Sequence, residues 1–173
     1  DFVELDHTGR VVDGGEVFDT TSASVAKESG IFDEHMAYGP AVVCIGKRHL
    51  VIGLDKQLVG KEIGKSYTIK LPAEEAFGKK NGKLIQLVST AKFRQQQMTP
   101  FPGMQVNIDG IVGTVRTVTG GRTIVDFNHP LSGRDLVYNV NVKRIVEDDR
   151  EKLNSLLKIH LNSKDAETDI AEG

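Results

Sequence analysis

The sequence predicts an α+β protein in which an antiparallel β-sheet curls around one short α-helix, with a small all-β insert and a C-terminal helix. Three observations predict it. Residues 66–71 and 136–143 alternate apolar and polar side chains with the period of half-buried strands. A single short helical stripe precedes them, with Leu54, Leu58 and Val59 inward, Asp55, Lys56 and Gln57 outward, and Gly60 as the stop. Past a polar bridge, Arg94-Gln95-Gln96-Gln97, the chain turns to β-branched residues broken by Asp109-Gly110 and Gly120-Gly121.

Composition narrows the function classes. With 173 residues, 39% hydrophobic and 27% charged, the chain reads as soluble and globular, with room for one ordinary domain or two small ones. A formal net charge of -2 gives no electrostatic reason to expect nucleic acid. The one cysteine, Cys44, sits in the apolar run of residues 41–45 and reads as an inert core thiol. No apolar stretch approaches the ~20 residues that cross a bilayer, so no membrane is expected and the cytoplasm is the expected location.

The elements follow in order. Phe2, Val3 and Leu5 begin a strand that runs into Thr8 and Gly9, Val11-Val12 continue it beyond a bulge or bend, and Asp13-Gly14-Gly15 turns it back into Val17 and Phe18. Ser22-Ala23-Ser24 cap a short helix that runs through Glu28 and that Gly30 ends, and residues 31–38 form a loop. Pro40 admits a strand over residues 41–45, and Gly53 marks a close backbone approach at the start of the central helix. That helix is too short to stand without packing. Pro72 ends the next strand, and Leu84, Ile85 and Leu87 form a short strand or connector. Met104, Val106 and Ile108 open the β-rich unit, read as three strands in a small barrel or sheet. After the long strand of Leu136, Tyr138, Val140 and Val142, acidic residues 147–149 start a helix with Leu153, Leu156, Leu157 and Leu161 as its stripe. The last dozen residues are polar and are expected to be mobile.

Several chemistries find no support. Residues 60–66, GKEIGKS, have a phosphate-loop look, but the glycines stand one residue too close and a strand follows instead of a helix. The five histidines are scattered and no zinc spacing exists; neither metal nor other cofactor is expected. No Gly-x-Ser-x-Gly elbow supports a hydrolase.

Four segments, LDHTGRVVDGGEVFDTT, GKRHLVIGLDKQLVGKEIGKSYTI, PAEEAFG and LVYNVNVKRIV, with VDFNHPLSG closing the region between the last two, occur in the order typical of one family. On these segments the chain resembles the FK506-binding-protein (FKBP) type peptidyl-prolyl cis-trans isomerases, in their SlyD-like and archaeal forms. The resemblance spans roughly the first five-sixths of the chain. It implies an FKBP-like isomerase domain over residues 1–87 and 132–147, an insert-in-flap chaperone domain over residues 88–131, and a helix with polar tail over residues 148–173. In longer archaeal relatives a further domain follows, of which this chain would hold the beginning. The His-rich tail of many SlyD-like proteins is absent.

The resemblance also implies roles for residues. Asp19, Val51, Phe77 and Tyr138 fall at the family's catalytic places, with Val51 supplying a backbone N–H. His7, Phe18, Ala41, Leu50 and Leu54 fall at substrate-binding places, and Met98, Phe101, Met104 and Ile111 are implied chaperone contacts. Four matches depart from the usual pattern: His7 replaces a tyrosine, Leu54 a tryptophan, Phe77 a tyrosine with its hydroxyl, and Ala41 an aromatic. Activity is expected to survive these changes, with weaker binding of macrolide inhibitors. The implied partners are proline-containing unfolded or partly folded polypeptides, met by a monomer without nucleic acid. The residues by themselves leave plainer readings open. Phe18, Leu54 and Tyr138 serve as core in any sheet-on-helix domain, Asp19 caps the Thr20-Thr21 turn equally well, and Met104 and Ile111 fill a small β core. A non-catalytic holdase on the same fold also remains open, and a nucleic-acid contact of the β-rich unit ranks last for want of basic and stacking residues.

Overall fold

The computed structural model describes residues 1–161; the expected polar tail and the side chains of His160 and Leu161 lie outside the described residues. The chain forms two compact units, one of Asp1–Gly78 with the chain from Gly133 onward, the other of Lys79–Ser132. The architecture is α+β with antiparallel sheets, as the alternating runs indicate.

In the first unit β1 (Phe2–Val11) lies between β9 (Leu136–Ile145) on one side and β2 (Val17–Thr20) and β3 (Ala41–Cys44) on the other, while β4 (Ser66–Leu71) pairs with β9. Gly14 and Gly15, at φ 92° and 68°, make the turn between β1 and β2. Register sends Leu5, His7, Gly9 and Val11 to the same face as Val142, Val140, Tyr138 and Leu136, their partners on β9. Across β1 and β2 the pairing slips between Gly9 and Arg10, a bulge that changes the aim of the β2 side chains.

The helix α1 (Ala23–Glu28) is capped by the Ser22 hydroxyl, which accepts from Val25 N–H. The helix α2 (Ile52–Leu58) packs against β4 with Leu54 and Leu58 buried. It starts two residues earlier than its apolar stripe, and Gly53 explains the fit: a Cβ there would meet Glu75 O at 2.7 Å and Leu71 Cδ2 at 2.8 Å. Two expectations for this helix are corrected. Val59 is 65% exposed because the helix has already ended at Leu58, and Asp55, expected outward, is 5% exposed. Near the C-terminus α4 (Asp149–Leu161) packs against β3; Leu153 is exposed and Ser155 is buried. Cys44 is half-buried, not core.

The second unit is an open sheet of four strands in the order β5 (Ile85–Ser89), β8 (Arg122–Asp126), β7 (Ile111–Thr119), β6 (Gln105–Ile108). It begins at Lys79, ahead of the change in composition, because Ile85–Ser89 pairs with β8 as the fourth strand. A short helix, α3 (Thr90–Gln95), buries Phe93 against Val88, Val106, Val115 and Val125. Met98 and Met104 pack on the rim of that core.

Candidate functional site

The face of β1 and β9 that carries Gly9 and Tyr138 also gathers aromatic rings from β2 and from the turn after β4. Phe18 meets Tyr138 edge to face, with centroids 5.7 Å apart and planes at 90°. Phe77 meets Phe18 at 6.3 Å and 84°. Edge-to-face packing places the positive ring edge on a negative ring face, and each such pair contributes about 0.5–1.5 kcal/mol beyond its buried area. The two rings over β1 fit because Gly9 has no side chain: a Cβ would sit 2.7 Å from Phe18 Cζ and 2.8 Å from Tyr138 Cε1. Gly9 is the residue that sequence reasoning missed; its signal was a glycine inside a strand, which marks close approach.

The polar part of the site is built on His7 and Asp19. His7 Nε2 lies 2.9 Å from Asp19 Oδ2, and the His7 ring stands 6.1 Å from the Tyr138 ring. The His7 side chain is 10% exposed and that of Asp19 44% exposed, so the carboxylate forms the outer member of the pair. The backbone beneath is fixed by Thr21, whose Oγ1 accepts from His7 N–H at 3.0 Å and donates to Asp6 Oδ1 at 3.1 Å. Burial, helped by the negative charge of Asp19, pushes the Tyr138 phenol far above its ordinary value. Its hydroxyl therefore keeps its proton throughout the neutral range.

Val51 is set by a loop that a buried carboxylate holds. Asp55 accepts from Gly46 N–H at 2.9 Å and from Arg48 N–H at 3.1 Å. Those bonds shape a turn in which Gly46 and Arg48 both take left-handed backbone, φ 82° and 59°. His49 Nδ1 accepts from Cys44 N–H at 3.1 Å, tying the same loop to β3. The loop delivers Val51 to the N-cap position of α2, where its carbonyl accepts from Asp55 N–H at 2.9 Å. Among the described residues the Val51 N–H donates to no acceptor.

Of the residues singled out in the sequence, the structure brings His7, Phe18, Asp19, Phe77 and Tyr138 into one chain of contacts. Leu54 is fully buried in α2, Leu50 is half-buried in the loop before it, and Ala41 is half-buried opposite Leu5 on β3. In the second unit Phe101 and Ile111 are 60% and 59% exposed, and Val112 and Leu87, which sequence reasoning passed over, are each 60% exposed. A concavity of about 690 Å³ in the first unit is lined by none of Phe18, Asp19, Phe77 and Tyr138. Its lining is largely hydroxyls and amides, such as Thr8, Ser66, Thr68 and Asn139, with His7, Tyr38 and Tyr67 beside them. Among the described residues no three His, Cys, Asp or Glu side chains gather as a metal site, and no helix is long and apolar enough to cross a membrane.

Comparison with known proteins gives two family matches. Residues 1–96 match the FKBP-type peptidyl-prolyl cis-trans isomerase family, and residues 86–131 match the FKBP26, IF domain family. The chain is similar to the short-type peptidyl-prolyl cis-trans isomerase of Methanocaldococcus jannaschii, 30% identical over 84% of this chain and 91% of that one. It is also similar to the FKBP-type isomerase SlyD of Haemophilus influenzae, 32% identical over 70% of this chain and 66% of the relative. The FKBP-type 16 kDa isomerase of Escherichia coli is 31% identical over 61% of this chain and 74% of its own length.

Proposed function

Because the chain belongs to the FKBP-type peptidyl-prolyl cis-trans isomerases, in their SlyD-like form, we propose that the slot walled by Phe18, Phe77 and Tyr138 binds proline and lets the preceding peptide bond rotate. The observation that carries this reading is the edge-to-face chain of three rings on one sheet face.

Rotation about an X-Pro bond meets a barrier of about 18–20 kcal/mol because resonance holds the amide flat. The flat form is the more charge-separated one, and water stabilises it over the twisted transition state. An apolar slot that displaces water removes that advantage, and fixed hydrogen bonds that suit the twisted amide lower the barrier further. Here the rings hold the pyrrolidine and the Val51 N–H donates to the substrate carbonyl. Asp19 is the fixed acceptor at the slot, and Tyr138 donates through a phenol that stays protonated. Phe77 adds surface without a hydroxyl. No nucleophile or covalent intermediate is required. Leu54, standing where relatives with a larger floor have tryptophan, gives macrolide inhibitors less surface to stack on.

The insert acts as a chaperone module in this reading. Its exposed apolar residues Leu87, Phe101, Ile111 and Val112 capture unfolded chain weakly. Covalent linkage to the isomerase unit then raises the effective concentration of prolines at the slot. Protease-free exchange NMR on a neutral X-Pro peptide tests the slot: catalysis by the wild type that is lost in Phe18→Ala supports it, and equal catalysis by a folded Phe18→Ala contradicts it.

A further inference from the structure

His7 introduces a titratable group into a reaction that moves no proton. The ionised Asp19 carboxylate only accepts hydrogen bonds, so in the neutral ring the proton must sit on Nε2, the nitrogen 2.9 Å from Oδ2. Nδ1 then carries a bare lone pair, and it is the buried side-chain nitrogen with no hydrogen-bond partner among the described residues. A bare acceptor of this kind is tolerable in apolar surroundings; an N–H in the same place is a donor with nothing to receive it.

We propose that His7 is a positioning residue of the isomerase, holding Asp19 as a neutral Nε2–H donor, and that adding a proton to Nδ1 switches the slot to a less efficient state. The proposal rests on the isomerase reading above. Among the described residues, the titratable groups in contact with the ring are Asp19 from β2 and Tyr138 from β9. Its neighbours on β1 that carry charge or hydroxyl, Asp6 and Thr8, point to the opposite face, where Asp6 pairs with Lys143 of β9 at 2.7 Å. The buried Nδ1–H, once formed, has no acceptor among the described residues. The strain is relieved by swinging the ring outward or admitting water beside it. Both responses loosen the side chain that the pair had fixed, and both wet a slot whose work depends on being dry.

A tyrosine hydroxyl donates to a carboxylate without changing charge near neutrality, whereas imidazoles change charge between about pH 5 and 8. The substitution at His7 therefore gives this chain a pH response that a tyrosine at the same place lacks.

The test uses the full chain and two measurements. Ring nitrogen NMR reads the tautomer without reference to activity: a protonated Nε2 with bare Nδ1 above the transition is expected, and an Nδ1–H tautomer would overturn the proposal. Exchange NMR on a neutral X-Pro peptide then gives kcat/KM against pH. A fall of roughly threefold or more from about pH 8 to about pH 5.5 is expected, following the ring's own transition. In His7→Gln, which keeps a donor but does not titrate, the profile becomes flat; His7→Tyr serves if the glutamine variant does not fold. A flat wild-type profile, or the same inflection in the glutamine variant, overturns the role of His7 and leaves the isomerase reading standing. Absence of catalysis at every pH overturns the isomerase reading itself and the switch with it.

Discussion

Phe18 stands edge-on to Tyr138, at 90° and 5.7 Å between ring centroids, directly above Gly9 of β1. The two rings come from strands on opposite sides of β1, so the pair exists only because the strand between them carries no side chain at that point. Gly9→Ala forces the rings apart. Overpacking of this kind costs about 1–3 kcal/mol, and a displaced ring lowers kcat/KM by roughly ten- to a hundredfold. Urea denaturation and peptide exchange kinetics on the same variant check both halves.

Asp55 supports the site from below. Asp55→Ala leaves the Gly46 and Arg48 N–H groups without their acceptor, a loss of about 1–3 kcal/mol. Hydrogen exchange of residues 46–51 is expected to quicken while that of β9 stays slow, and KM for the peptide rises as Val51 loses its fixed place. Unchanged exchange in this loop would show that the carboxylate does not hold it.

The insert has its own pH dependence. Burial of Asp126 raises its carboxyl, but hydrogen bonds from the Asn128 side chain and Arg116 outweigh this and bring it from 3.8 to about 2. A folded-state value below the unfolded one stabilises the fold above the unfolded value and is lost as pH falls. The insert is therefore expected to weaken between about pH 4 and about pH 2, by roughly 2 kcal/mol in all. Amide exchange of β7 and β8 followed over that range measures it, and Asp126→Asn removes the acid slope.

Capture of unfolded chain predicts a split between substrates. The double variant Phe101→Ser, Ile111→Ser is expected to slow proline-limited refolding of a protein substrate at least several-fold more than it slows a tetrapeptide, since only the protein needs prior capture. Equal effects on the two substrates would remove the insert from the pathway.

The β1–β2 hairpin of the first sheet and the β6–β7 hairpin of the second were legible because hydrophobic strand residues and turn residues agree: Asp13-Gly14-Gly15 and Asp109-Gly110 mark turns that the structure closes with left-handed backbone. The six-residue helix α3 was not legible, since its one buried apolar residue, Phe93, owes its burial to strands distant in sequence. Asp55 was misread for a related reason. On a helix of seven residues it counts as an outward polar position, yet the preceding loop folds back over it. At the site, family resemblance named His7, Phe18, Asp19, Phe77 and Tyr138 one by one, but their meeting depends on the bulge between Gly9 and Arg10 and on the bare backbone of Gly9. A bulge or bend after Gly9 was legible in the sequence, but not which side chains it would bring together.

The most direct test is the rate of cis-trans exchange in a neutral X-Pro peptide with catalytic amounts of the full chain, beside Tyr138→Ala and Asp19→Ala variants whose folding is verified by amide spectra. Acceleration by the wild type, falling by roughly tenfold or more in each variant, is predicted. Folded variants that accelerate exchange as well as the wild type would contradict a slot built from these side chains.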